Sequence, residues 1–144
     1  MILTAEAVGT FFQIEKPLLR LSFAGLENIC DLSDVTEASL LQTLRQRYKD
    51  RQIYTNVGRI VLSLNPFEYL PIYGEQTISQ YMFSPDPYGL QPHVYQISAA
   101  ALQNLKEGGK PQAALITGES GGELKACTFV GIVAMDHSPV RNKV

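Results

Sequence analysis

The chain has 144 residues, 45% of them hydrophobic, and 12 basic against 14 acidic side chains give it a formal charge of −2. That length and apolar content suit one compact domain and not comfortably two, and so balanced a charge gives no electrostatic reason to expect nucleic acid or an anionic membrane as partner. Two cysteines, Cys30 and Cys127, are too few for a disulfide framework or a zinc site, so a reducing, intracellular compartment is the expectation. The N-terminus MILTAEAVGTFFQ lacks a basic segment followed by an apolar run. The longest apolar stretch, residues 127–135, is too short to cross a bilayer, and a soluble protein is expected.

In chain order, residues 1–30 mix Phe11, Phe12, Leu19 and Phe23 with Pro17 and Gly25 at weak periodicity, which reads as an irregular lead-in. In DLSDVTEASLLQTLRQRYKD, Thr36 is placed to cap a helix with Glu37 at its positive end, and Leu40, Leu41, Leu44 and Tyr48 recur on one face. QIYTNVGRIVLSLNP offers two short runs rich in β-branched and aromatic residues, Ile53 to Val57 and Ile60 to Leu64, split by Gly58 and closed by Asn65 and Pro66. This pattern predicts a hairpin. A short helix is expected in EQTISQYMF and a longer one in HVYQISAAALQNL, ending at Gly108 and Gly109. QAALIT, residues 112–117, reads as a buried strand that delivers the chain into Gly118.

That delivery matters because ITGESGGELKAC opens like a phosphate-binding loop. Such a loop needs glycines so that backbone N–H groups converge on an anion, a Lys for the outer phosphates and a hydroxyl for magnesium. With Gly118 as the first glycine of G-x-x-x-x-G-K-[ST], positions 123 to 125 should read Gly, Lys and a hydroxyl residue, and they hold Glu123, Leu124 and Lys125. On spacing alone a glycine-rich turn is the plainer interpretation. Asn65 and Pro66 would likewise be ordinary strand-ending residues, and Tyr73 a half-buried aromatic. His93, with no second His or Cys near it in sequence, reads as a helix-start or packed histidine with no chemistry. Lys106, Glu107 and Lys110 read as an exposed turn.

Four stretches together resemble the N-terminal part of the myosin motor domain, from about Asp31 to Gly121. The first holds Asp31, Glu37, Leu40, Leu44, Arg47, Tyr48, Ile53, Tyr54 and Thr55, similar to the family's acidic lead-in, spaced leucines, Arg-Tyr pair and Ile-Tyr-Thr. The second, SLNPFEYLPIY, resembles the adenine-side signature with Asn65, Pro66, Pro71, Ile72 and Tyr73. The third, PHVYQISAAAL, resembles the opening of the helix before the phosphate loop. The fourth, ITGESG, resembles the loop itself. The resemblance implies an α/β fold. It would be a partial P-loop NTPase (myosin head) domain with a β-hairpin, two or three helices and the strand leading into the phosphate loop. It also implies ATP as ligand with Mg2+ in the intact family, actin as the family's partner and a cytoplasmic, cytoskeleton-associated location. Adenine would lie by Asn65, Pro66 and Tyr73. The phosphates would meet Gly118, Glu119, Ser120, Gly121 and Gly122, with Lys125 an alternative cation where the magnesium hydroxyl should be. No metal ligand and no catalytic residue is assigned.

After Gly121 the family continues Gly-Lys-Thr and this chain reads GELKACTFVGIVAMDHSPVRNKV. The resemblance therefore implies an amino-terminal piece of a head without the switch segments, the actin-binding surface or the lever. The organisation expected is a lead-in over 1–30, a partial motor domain over 31–121 and a non-homologous tail over 122–144. The abrupt break suggests that the tail is intron-derived, Gly122 and Glu123 being encodable as GGT-GAG. Three functions stay open: a catalytically inactive ATP-binding head piece, a non-catalytic product acting only through protein interaction, and a small independent ATPase.

Overall fold

The computed structural model describes residues 2–3, 26–109 and 111–116. A length suited to one domain yields two compact units, one comprising the described residues through Tyr69 and the other running from Leu70 to Ile116.

The first unit is a three-stranded sheet with one helix. Strand β1 (Ile2–Leu3) runs parallel to β3 (Ile60–Leu64), and β2 (Tyr54–Val57) pairs antiparallel with β3 in a register that sets Tyr54 opposite Ser63 and Val57 opposite Ile60. The order is β1-β3-β2. The hairpin forms where two β-prone runs meet across the two-residue turn Gly58-Arg59. Gly58 takes φ 59° at the first turn position, as a type II′ turn requires, and a side chain there would be strained. The lead-in, expected to be irregular, thus supplies a short strand, a parallel bridge from Asn28 to Asn56 and a one-turn 3-10 helix at Ile29–Asp31.

Helix α1 (Glu37–Lys49) begins as its sequence dictates. Thr36 Oγ1 accepts from the Ser39 N–H at 3.2 Å and Ser39 Oγ accepts from the Thr36 N–H at 2.9 Å, a capping box in which serine stands where Glu or Gln is usual. Leu44, 1% exposed, joins Ile29, Leu32, Leu62 and Leu64 in the core, with Leu26, Leu40, Tyr48 and Val57 packed around them. Burying a leucine of this kind contributes about 1.5–3 kcal/mol. A second buried row on α1 is polar: Ser39, Thr43 and Arg47, spaced by four.

In the second unit, helix α2 (Glu75–Met82) and helix α3 (Val94–Gly108) pack together around buried Leu70, Tyr81, Val94, Tyr95 and Ala99. The connection between them is pinned to α3 by its side-chain amides: Gln96 donates to the Leu90 carbonyl at 3.0 Å and Gln103 to the Ser84 carbonyl at 2.6 Å. α3 stops at Gly109, which adopts φ 62° and returns its N–H to the Leu105 carbonyl at 2.9 Å.

Over the described part of the strand expected at 112–117, residues 112–116, no strand is found. Residues 111–116 have no regular structure, and Leu115 is 89% exposed. A strand exists through its partner's hydrogen bonds, and none of the three paired strands among the described residues pairs with this run, so its apolar composition alone does not make it one. Three α-helices and the hairpin match the α/β expectation for part of a motor domain.

Candidate nucleotide site

The two sides of the expected adenine contact arise from different local causes. Asn65 follows β3 directly. Its Oδ1 accepts from the Phe67 N–H at 2.9 Å in an Asx turn, and its carbonyl accepts from the Tyr48 hydroxyl of α1 at 3.3 Å. Pro66, which has no N–H to give, sits inside that turn. Phe67 then takes φ 52°, a left-handed conformation uncommon for an aromatic residue, and turns outward at 65% exposure, followed by Tyr69 at 87%. Asn65 and Pro66 are themselves half-buried.

Tyr73 belongs to the second unit, half-buried and surrounded by aromatic groups. Its ring centroid is 5.6 Å from that of His93 and 6.4 Å, edge-on, from that of Tyr95. His93 is the N-cap of α3. Its Nδ1 accepts from the Tyr95 N–H at 3.1 Å, its own N–H donates to Gln96 Oε1 at 3.3 Å, and its ring stacks on Tyr81 at 5.3 Å. Burial pushes the His93 imidazole down to about 4, partly offset by the nearby Ile72 backbone. At neutral pH the ring is uncharged, as a packed, capping histidine should be.

The residues expected at the phosphates, Gly118, Glu119, Ser120, Gly121, Gly122 and Lys125, lie outside the described residues. Among the described residues no group of three His, Cys, Asp or Glu side chains is placed to hold a metal ion, and no helix is long and apolar enough to cross a membrane.

The Arg-Tyr and Ile-Tyr-Thr signature has a structural explanation that sequence reasoning did not supply. Arg47 is 3% exposed, and its guanidinium donates to Thr55 Oγ1 at 3.0 Å, the Tyr54 carbonyl at 2.8 Å and the Leu26 carbonyl at 3.2 Å. Desolvation lowers its pKa, while Glu27 and Asp50 act to raise it. The signature thus fastens α1 to the hairpin that presents Asn65. The signal was available as an i, i+4, i+8 polar row, which hydrophobic periodicity does not register.

Comparison with known proteins converges on one family. The sequence model described as "Myosin head (motor domain)" matches residues 26–130, which reaches past Gly121. Unconventional myosin-Ia of Mus musculus is 42% identical over 107 residues, covering 74% of this chain and 10% of the relative. Unconventional myosin-Ia of Homo sapiens is 42% identical over 115 residues, 79% of this chain and 11% of the relative. The high molecular weight form of myosin-1 of Acanthamoeba castellanii is 38% identical over 103 residues, 72% of this chain and 6% of the relative. The chain therefore spans about a tenth or less of the length of these relatives.

Proposed function

The chain belongs to the myosin head (motor domain) family, and from that premise we propose that these residues supply the purine side of an ATP site and the start of its phosphate loop. Asn65, Pro66 and Tyr73 meet the adenine. Gly118, Glu119, Ser120, Gly121 and Gly122 are assigned to the phosphates, with Lys125 as an alternative cation. What supports this is the extent of the family match, residues 26–130, which encloses both signatures.

The activity to which these residues contribute is the family's actin-activated, Mg2+-dependent hydrolysis of ATP, in the cytoplasm on the cytoskeleton. By itself the chain is catalytically inactive, because phosphoryl transfer needs groups that position water and neutralise charge at the terminal phosphate, and none is assigned among these residues. Residues 122–144 are read as an intron-derived tail, an origin that the family match over residues 122–130 counts against and that transcript sequence across codon 122 tests: a spliced message encoding Gly-Lys-Thr in frame supports it, and the absence of a splice donor there ends it. A second function, binding a protein partner without catalysis, is favoured by the exposed apolar side chains Phe83, Leu105 and Leu115 of the second unit.

Displacement of a fluorescent ATP analogue from the purified chain tests the purine assignment. Adenosine should compete and inorganic tripolyphosphate should not, and Asn65→Ala should weaken the adenosine competition. Displacement by tripolyphosphate alone would contradict the assignment. Phosphate release should stay at background with and without actin.

A further inference from the structure

Tyr73 is held from the first turn of α3, a helix that begins 21 residues further along the chain. The Tyr95 hydroxyl donates to the Tyr73 carbonyl at 3.3 Å, and the His93 ring packs on the Tyr73 ring with centroids 5.6 Å apart. The holders are themselves fixed. His93 and Tyr95, 5% and 2% exposed, lie with ring centroids 4.4 Å apart, and Tyr81, stacked on His93, donates its hydroxyl to the Gln91 carbonyl at 2.6 Å. A chain of buried rings and hydrogen bonds therefore ends on Tyr73, at its backbone carbonyl and its ring, while Tyr73 itself is only half-buried.

We propose that Tyr95 and His93 are positioning residues for Tyr73, clamping its carbonyl and ring to the start of α3 so that the Tyr73 ring is presented in one orientation to a purine. The link to a ligand rests on the assignment of Tyr73 to the purine made above. A ring that recognises a planar base needs its backbone fixed within a fraction of an ångström, and supporting groups on a helix supply that better than the loop's own residues do. The Tyr95 hydroxyl is the informative atom, since deleting it leaves the ring packing in place.

The test uses the full chain with Tyr95→Phe, and His93→Asn as a second variant that keeps a helix-capping acceptor and removes the ring. Amide exchange at Ile72, whose N–H bonds the Leu70 carbonyl at 2.9 Å, and at Tyr73 is read beside affinity for adenosine. Losing one such hydrogen bond should speed exchange at 72–73 by about three- to tenfold and weaken adenosine by a similar factor, with exchange along the rest of α3 unchanged. Unchanged exchange at 72–73, or acceleration spread evenly over α3, would overturn the clamp. Local acceleration with unaltered adenosine affinity would overturn its link to the ligand. If the unmodified chain binds no adenosine, the purine assignment fails separately, and the exchange pattern alone decides the clamp.

Discussion

Arg47 and His93 show how a buried polar side chain can serve architecture inside a nucleotide-binding family. Arg47 donates three hydrogen bonds from a desolvated guanidinium, and lysine cannot reproduce the planar fork that reaches Thr55, Tyr54 and Leu26 together. Arg47→Lys should therefore destabilise the first unit by about 2–4 kcal/mol in urea unfolding, since hydrogen bonds to charged groups contribute about 1.5–3 kcal/mol each. A change under about 0.5 kcal/mol, the size of an ordinary surface substitution, would contradict the role. For His93 the sign follows from its lowered value. The folded chain holds the imidazole near 4 and the unfolded chain near the ordinary 6.5, so the unfolded state binds the extra proton between those values. The neutral ring's contribution is fully present above about 6.5 and is lost as pH falls toward 4, by about 3 kcal/mol at most. His93→Asn should flatten that part of the stability profile relative to the unmodified chain, and parallel profiles would refute it. Sequence alone marked His93 as packed and capping because no other ligand-type residue lies near it. Arg47 was visible only as half of a family pair, since nothing in its neighbours announces that it is buried.

At the scale of elements, most of what was legible was local. Thr36 before the spaced leucines marked the start of α1, Gly58 between two β-prone runs marked the hairpin, and Gly108-Gly109 marked the end of α3, because capping and turn chemistry reside in one or two residues. The strand expected at 112–117, absent over its described residues 112–116, fails for the opposite reason. A strand's existence depends on a partner elsewhere in the chain, which no local pattern encodes. The same fact carries a prediction. An apolar run in irregular conformation with Leu115 89% exposed invites pairing with other molecules. The chain should show concentration-dependent association by size exclusion with light scattering, and Leu115→Lys should reduce it. A monodisperse monomer at every concentration would count against this.

For the whole molecule, the central proposal is that the chain binds ATP through its purine side and lacks the phosphate clamp. Asn65 and Tyr73 belong to separate units of the fold, and the residues that should complete the loop read Glu123, Leu124 and Lys125 in place of Gly, Lys and Thr. The family was legible because its signatures mix backbone-shaping residues with fastening ones such as Arg47, and these must recur in order for the fold to form. The ligand contacts were legible only through that resemblance, since Asn65 is also a sound strand-ending residue and Tyr73 a sound packing one. On that proposal, loss of the loop lysine removes a charge-assisted contact worth about 1.5–3 kcal/mol, roughly a 10- to 150-fold loss of affinity, and Glu123 stands in sequence where the loop's second glycine should be. Calorimetric titration of the purified chain with ATP, in excess magnesium and again in excess chelator, tests this most directly. The expected result is weak binding of equal strength in both conditions, reduced by Asn65→Ala; submicromolar binding that requires magnesium would contradict the account.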